Sequence, residues 1–187
     1  MTSRSFHRRN PRKKSVDLQA AFDAVSNDVE KAAKTASREL TKAGIRHLLI
    51  GGLAVGAYGY QRATKDVDFL VAEEAFVQHA SGIVTINPKV PIAVGAVPVD
   101  PVSIGINEEF LTASFDDAVT DVGIPIAPLE VLIYLKLSAG RKRDKSDVLE
   151  LIKAGVELEP VYDYFEGHAD QDLMDELKEL EAEASVE

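Results

Sequence analysis

The sequence predicts an α/β fold: a small sheet flanked by helices, with extra helices at the N- and C-terminal ends. Three observations predict it. Apolar runs of strand length, His47–Ile50 and Asp66–Ala72, alternate with longer stretches whose apolar residues recur every three or four positions. Gly and Pro cut residues 82–104 into short β-rich pieces. Residues 16–43 and 161–184, towards the two ends of the chain, have helical patterning.

Each element follows in order. Val16–Ala43 lacks Pro and Gly, and Leu18, Ala21, Phe22, Val25 and Val29 share one helical face, with a break expected near Ser26–Asn27. Gly44 suits the residue that ends this helix. His47–Ile50 is a strand, and Gly51–Gly52 then opens the small-residue stretch Leu53–Tyr60, which predicts a tight turn into a short, closely packed helix. A polar loop, residues 61–65, leads into the strand Asp66–Ala72. Glu73–Ala80 reads as a short helix, and Ile83–Ile86, Ile92–Val94 and Val97–Ile104 as a meander. Glu108–Phe115 is amphipathic, Gly123–Ala127 extended, and Pro128 starts a helix to about Ala139. After Gly140 a further helix covers Lys142–Lys153, and Val161–Ala184 is helical and acidic.

The organisation predicted is a disordered basic arm (residues 1–15), a body (16–155) that includes the N-terminal helix, and an acidic helical extension (156–187). Charge marks the divisions. The net charge is −10, yet six basic residues lie within the first 14 positions, which leaves 15 basic against 31 acidic side chains in residues 15–187. So acidic a body is a poor passive binder of nucleic acid, and phosphate chemistry here would need cations. The absence of Cys excludes disulfides, thiolate metal sites and a Cys nucleophile, and makes the cytoplasm the expected compartment. The apolar run Leu48–Tyr60, 13 residues with four glycines, is too short to span a bilayer, so no membrane role is expected. The four His residues have no zinc spacing, and no Gly-X-Ser-X-Gly elbow occurs.

Chemistry concentrates in residues 48–71. Asp66 and Asp68 stand two apart on a strand, so their carboxylates share a face. Two adjacent anions flanked by Val67, Phe69, Leu70 and Val71 repel unless a cation lies between them. Mg²⁺ is the natural candidate, being a hard ion that takes carboxylate and phosphate oxygens, with Mn²⁺ as the substitute. Backbone amides at Gly51 and Gly52 suit close approach to phosphate, although a Gly pair also serves as a plain turn.

The combination is more specific than its parts. An apolar strand, Gly51–Gly52, 13 intervening residues and Asp66-Val67-Asp68 resemble the signature of the DNA polymerase β-like nucleotidyltransferase superfamily. Arg62-Ala63-Thr64-Lys65-Asp66-Val67-Asp68 further resembles the Arg-X-Thr-X-Asp-X-Asp stretch of its small bacterial branch, which includes the AbiEii-type toxin nucleotidyltransferases. The similarity runs from Gly44 to about Gly155. It implies a nucleotidyltransferase-like small mixed sheet, an NTP substrate such as ATP, and a hydroxyl acceptor on RNA, tRNA or protein. A role in a toxin–antitoxin system, with an antitoxin partner, is implied as well.

The resemblance also implies a third carboxylate on a neighbouring strand, best matched by Asp100. Asp100 stands before Pro101, where a turn is the competing reading, and its flanking prolines suit an edge strand. By resemblance Asp66, Asp68 and Asp100 would be catalytic and hold the metal. Gly51, Gly52, Arg62, Thr64, Lys136, Arg141 and Arg143 would line the nucleotide site. For Arg62 and Thr64 a surface loop with a capping hydroxyl is equally in play. Lys136, the single cation of an apolar helix, either reaches the triphosphate or pairs with an acid. Asp144 and Asp147 read as acids at a helix start. The alternative function is an inactive module of the same fold that binds nucleotide or a partner. A third is an RNA-binding accessory protein acting through the basic arm. The sequence leaves the oligomeric state open.

Overall fold

The computed structural model describes residues 16–105 and 108–186. The basic arm at 1–15 lies outside the described residues. The elements are α1 (Leu18–Asp23), α2 (Asn27–Lys42), β1 (His47–Ile50), α3 (Gly51–Ala57), β2 (Val67–Val71), β3 (Phe76–Gln78), β4 (Val84–Ile86), β5 (Ala93–Val94), β6 (Val97–Ser103), β7 (Val119–Asp121), β8 (Ile124–Ile126), α4 (Leu129–Ala139), α5 (Lys142–Lys153), α6 (Glu159–His168) and α7 (Gln171–Ala184). Six strands form one mixed sheet in the order β5-β6-β2-β1-β8-β7, and β3 with β4 makes a separate two-stranded hairpin. β1 runs antiparallel to β2, whereas β2–β6 and β1–β8 are parallel. The α/β class and the flanking helices are thus as the sequence predicts.

β1, at the centre of the sheet, is buried on both faces, which is why it reads as an unbroken apolar run. Leu48, Leu49, Phe69 and Leu70 are fully buried in a core that α1, α2 and α3 cover with Leu18, Phe22, Ala33, Leu40 and Leu53. The expected break in the first helical stretch is present: α1 stops at Asp23, and α2 restarts after Ser26. α3 is closely packed because Gly56 lies against Ala21 of α1, where an added Cβ would come within 2.7 Å. The Tyr58 hydroxyl donates to the Ala127 carbonyl at 2.8 Å, tying the end of α3 to the entry of α4.

Several expectations need correction. Glu73–Ala80 is not a helix: a 3-10 turn covers only Glu73–Ala75, and Phe76–Gln78 becomes β3 because it pairs with β4. The expected meander is broken, since β4 pairs with β3 rather than with β5. Val119–Asp121 forms β7, paired antiparallel with β8, where the sequence pattern predicts no strand. The C-terminal stretch is two helices. Asp170 caps the second, its carboxylate accepting from the Leu173 amide at 2.9 Å. Both helices join the core through Val161, Phe165, Leu177 and Leu180. β6 is not an edge strand, because β5 covers its outer side. That cover is two residues long and reaches only Val97 and Pro98 in register, so Pro101 falls where no strand asks for its missing N–H.

Candidate active site

The carboxylates are placed by strand register. Ile50, the last residue of β1, pairs with Asp68 on β2, and Asp68 pairs in turn with Asp100 on β6. Two parallel strands in this register present equivalent side chains to one face, so Asp68 and Asp100 stand side by side. Asp66 precedes β2 by one residue and joins them. One carboxylate oxygen from each of Asp66, Asp68 and Asp100 lies within 4.8 Å of the others. The competing reading of Asp100 as a turn residue is excluded, since it sits mid-strand in Val97–Ser103.

Gly51 explains how Asp68 fits. Its φ is +66°, a conformation natural to glycine, and a Cβ there would meet the Asp68 Oδ2 at 1.8 Å. Gly52 clears space on the other side, where a Cβ would touch Arg62 and Thr64 at 3.0 Å. The Gly pair therefore makes room for side chains of the cleft. The Thr64 hydroxyl, nearly buried, donates to Asp66 Oδ1 at 2.6 Å and orients that carboxylate.

The cations are organised by the start of α5. Arg62 forks onto Asp147, with Nε to Oδ1 at 2.6 Å and the terminal nitrogen to Oδ2 at 2.8 Å. Buried Lys136 lies 2.7 Å from Asp147 Oδ2 and 3.0 Å from Asp144 Oδ1. Arg141 binds the other Asp144 oxygen at 2.5 Å while its side chain stays 77% exposed. Arg143 is exposed and reaches the Ala63 carbonyl at 3.4 Å. Of the two readings of Lys136, pairing with acid is what the geometry contains. Arg62 likewise belongs to an ion pair rather than to a free surface loop. The role of Asp144 and Asp147 as buried counter-ions was missed in the sequence, where their spacing from Lys136, one helix earlier, is the only signal.

The carboxylate triad, the Gly pair and the four cations border one cleft of ≈ 220 Å³, lined by Gly51, Gly52, Arg62, Thr64, Asp66, Asp68, Asp100, Lys136, Arg141, Arg143 and Asp144, with Asp147 buried behind it. A larger hollow of ≈ 770 Å³ lies at the far end of β2 and β6, but it contains none of the three carboxylates. Burial, followed by the charges of Asp66 and Asp100, pushes the Asp68 carboxyl up to about 6, against the opposing pull of Lys136 and Arg141. Burial also acts to raise Asp144, but Arg141 and Lys136 outweigh it and hold its pKa below the usual value. Three clustered carboxylates, with oxygen-only donors and open space beside them, fit a hard divalent cation. Asp66, Asp68 and Asp100 would hold it.

No protein-family model matches the chain, and no curated protein does. Among solved structures it is similar to an antigenic nucleotidyltransferase-like protein from Paracoccidioides brasiliensis, with a TM-score of 0.44 and 14% identity over 82% of this chain and 93% of that one. No helix among the described residues is long and apolar enough to cross a membrane.

Proposed function

We propose that the chain is a divalent-metal-dependent nucleotidyltransferase that moves a nucleoside monophosphate from an NTP to a hydroxyl on tRNA, another RNA or a protein. The observation that carries this reading is the convergence of Asp66, Asp68 and Asp100 within 4.8 Å beside a wall of cations. In the transfer, the acceptor oxygen forms a bond to the α-phosphorus as the bond to the bridging oxygen breaks, and pyrophosphate leaves. The acceptor proton passes to a carboxylate of the triad, with Asp100 assigned that role. Mg²⁺ bound there would neutralise charge on the phosphate oxygens, and Mn²⁺ would substitute.

The protein's own residues do the rest. Arg141 and Arg143 are the exposed guanidiniums at the cleft and are assigned to the triphosphate. Arg62 and Lys136 share charge with Asp147 and Asp144, so they shape the cleft wall and contribute a partly neutralised positive field. A toxin of a toxin–antitoxin pair, held in check by a partner protein, fits this chemistry, and the resemblance of residues 62–68 is its support.

The test is incubation with each labelled NTP in turn, Mg²⁺, tRNA and cell protein. Label should move to one acceptor class with release of pyrophosphate and stop in the Asp66→Ala/Asp68→Ala variant. Labelling that survives the double substitution would overturn the reading. Metal and nucleotide binding without transfer would favour the inactive binding module instead.

A further inference from the structure

The chemistry of the cleft lining is almost wholly ionic. Eight of the eleven residues that border it are charged, two are glycine, and the last is Thr64. A nucleoside triphosphate offers a protein three things to hold: its phosphates, its sugar hydroxyls and its base. Charged side chains hold phosphates. Bases are held by aromatic or apolar surface, and are told apart by neutral donors and acceptors at their edges.

The groups near the cleft that could serve a base are occupied with other contacts. Thr64, the one neutral hydrogen-bonding side chain among the described residues of the lining, gives its proton to Asp66 at 2.6 Å. Phe69 follows Asp68 on β2, so its ring lies on the opposite face of the sheet, where it meets His47 edge-on at 5.3 Å. Tyr60 packs against the core, and the Tyr58 hydroxyl is bonded to the Ala127 carbonyl. Tyr134 stands two residues before Lys136 on α4, a spacing that turns it to a different side of the helix. There its ring meets Phe110 edge-on at 5.3 Å and Tyr164 at 6.2 Å.

Size points the same way. At ≈ 220 Å³ the cleft is smaller than the roughly 300–1,000 Å³ of pockets that enclose a whole small-molecule ligand. A metal-bound triphosphate fills it, and the nucleoside is left at its mouth. The Arg141 side chain, 77% exposed, is the flat group there. A guanidinium stacks on the face of any base alike, which carries no preference.

We propose that this cleft recognises its donor as a metal-bound triphosphate and not as a particular nucleoside. The inference rests on the nucleotidyltransferase reading of the site and deepens it. All four NTPs, and their deoxy forms, are then equivalent donors, with Arg141 and Arg143 as the residues that hold them. Selectivity of the reaction falls to the acceptor.

The test is calorimetric titration of the full-length chain, with Mg²⁺ in excess so that every polyphosphate enters as its complex. ATP, GTP, CTP, UTP and dATP should bind within about fivefold of one another, less than a single good base-edge contact supplies. Inorganic tripolyphosphate should displace ATP, and adenosine should not. Added NaCl should weaken all five nucleotides in parallel, because the shared contact is ionic. Arg143→Gln should weaken them by one common factor. A wider spread among the five, tripolyphosphate that fails to displace ATP, or adenosine that competes with it overturns the inference and leaves the reading of the site standing. No binding by any of the five overturns both.

Discussion

At the scale of single residues, the cleft depends on what is absent at Gly51 and what is buried at Asp68. Gly51→Ala would add a Cβ 1.8 Å from Asp68 Oδ2 at a positive φ, so it should displace that carboxylate. The expected outcome is a loss of about 1–2 kcal/mol of stability from the backbone alone, with weakened Mn²⁺ binding measured by paramagnetic resonance. Thr64→Val removes the hydroxyl that orients Asp66 and should weaken the same binding while leaving the melting temperature nearly unchanged. His47 gives a pH prediction. Its ring is buried, its Nδ1–H donates to the Ile45 carbonyl, and its Nε2 accepts from the Ser37 hydroxyl. Burial lowers its pKa, against the opposing effect of the Ile45 hydrogen bond. Below the ordinary value of 6.5 the unfolded chain takes up a proton that the folded chain resists, so this residue makes stability fall as pH drops. Urea unfolding at pH 7.5 and pH 5.5 should show the loss, and His47→Gln should reduce it. Asp68 has the opposite sign: its raised pKa makes the metal-free fold lose stability as pH rises from 3.8 through about 6.

At the scale of elements, the start of α5 holds the site together. Asp147 accepts from both Arg62 and Lys136, so Asp147→Ala leaves two cations short of a partner in a buried setting. Removing one member of such a network costs about 3–5 kcal/mol, which thermal unfolding would register as a large drop in midpoint. This is also where sequence reading reached its limit. β1, β2 and α5 were legible because their apolar runs, glycines and charged turns are local signals, and Asp66 and Asp68 were legible through the two-residue strand period. Asp100 needed the resemblance, because Pro98 and Pro101 disguise an inner strand. β3 has no strand signature of its own, because Glu73, Glu74 and Ala75 have helix-like composition and the decisive contact is its pairing with β4. The Arg62–Asp147 pair spans 85 positions and has no local signature at all.

At the scale of the whole molecule, the acidic tail is part of the body. Val161, Phe165 and Leu177 are fully buried, the Tyr162 hydroxyl donates to Glu181 at 2.5 Å, and Lys145 pairs with Glu176 across α5 and α7. A chain ending at residue 155 would expose the apolar sides of α4 and α5. It should be poorly soluble or lack a cooperative melting transition, which circular dichroism of the purified fragment would show. The long reach between Arg62 and Asp147 has a further consequence, in time rather than in space. Synthesis proceeds from the N-terminus, so a growing chain makes β1, the glycine turn and both leading carboxylates well before the residues that clamp the loop between them. Until α5 has left the ribosome, Arg62 and Thr64 belong to a loop with no far anchor. The finished cleft is therefore a late event of translation, and a truncated nascent product would carry the triad's residues without the wall that faces them.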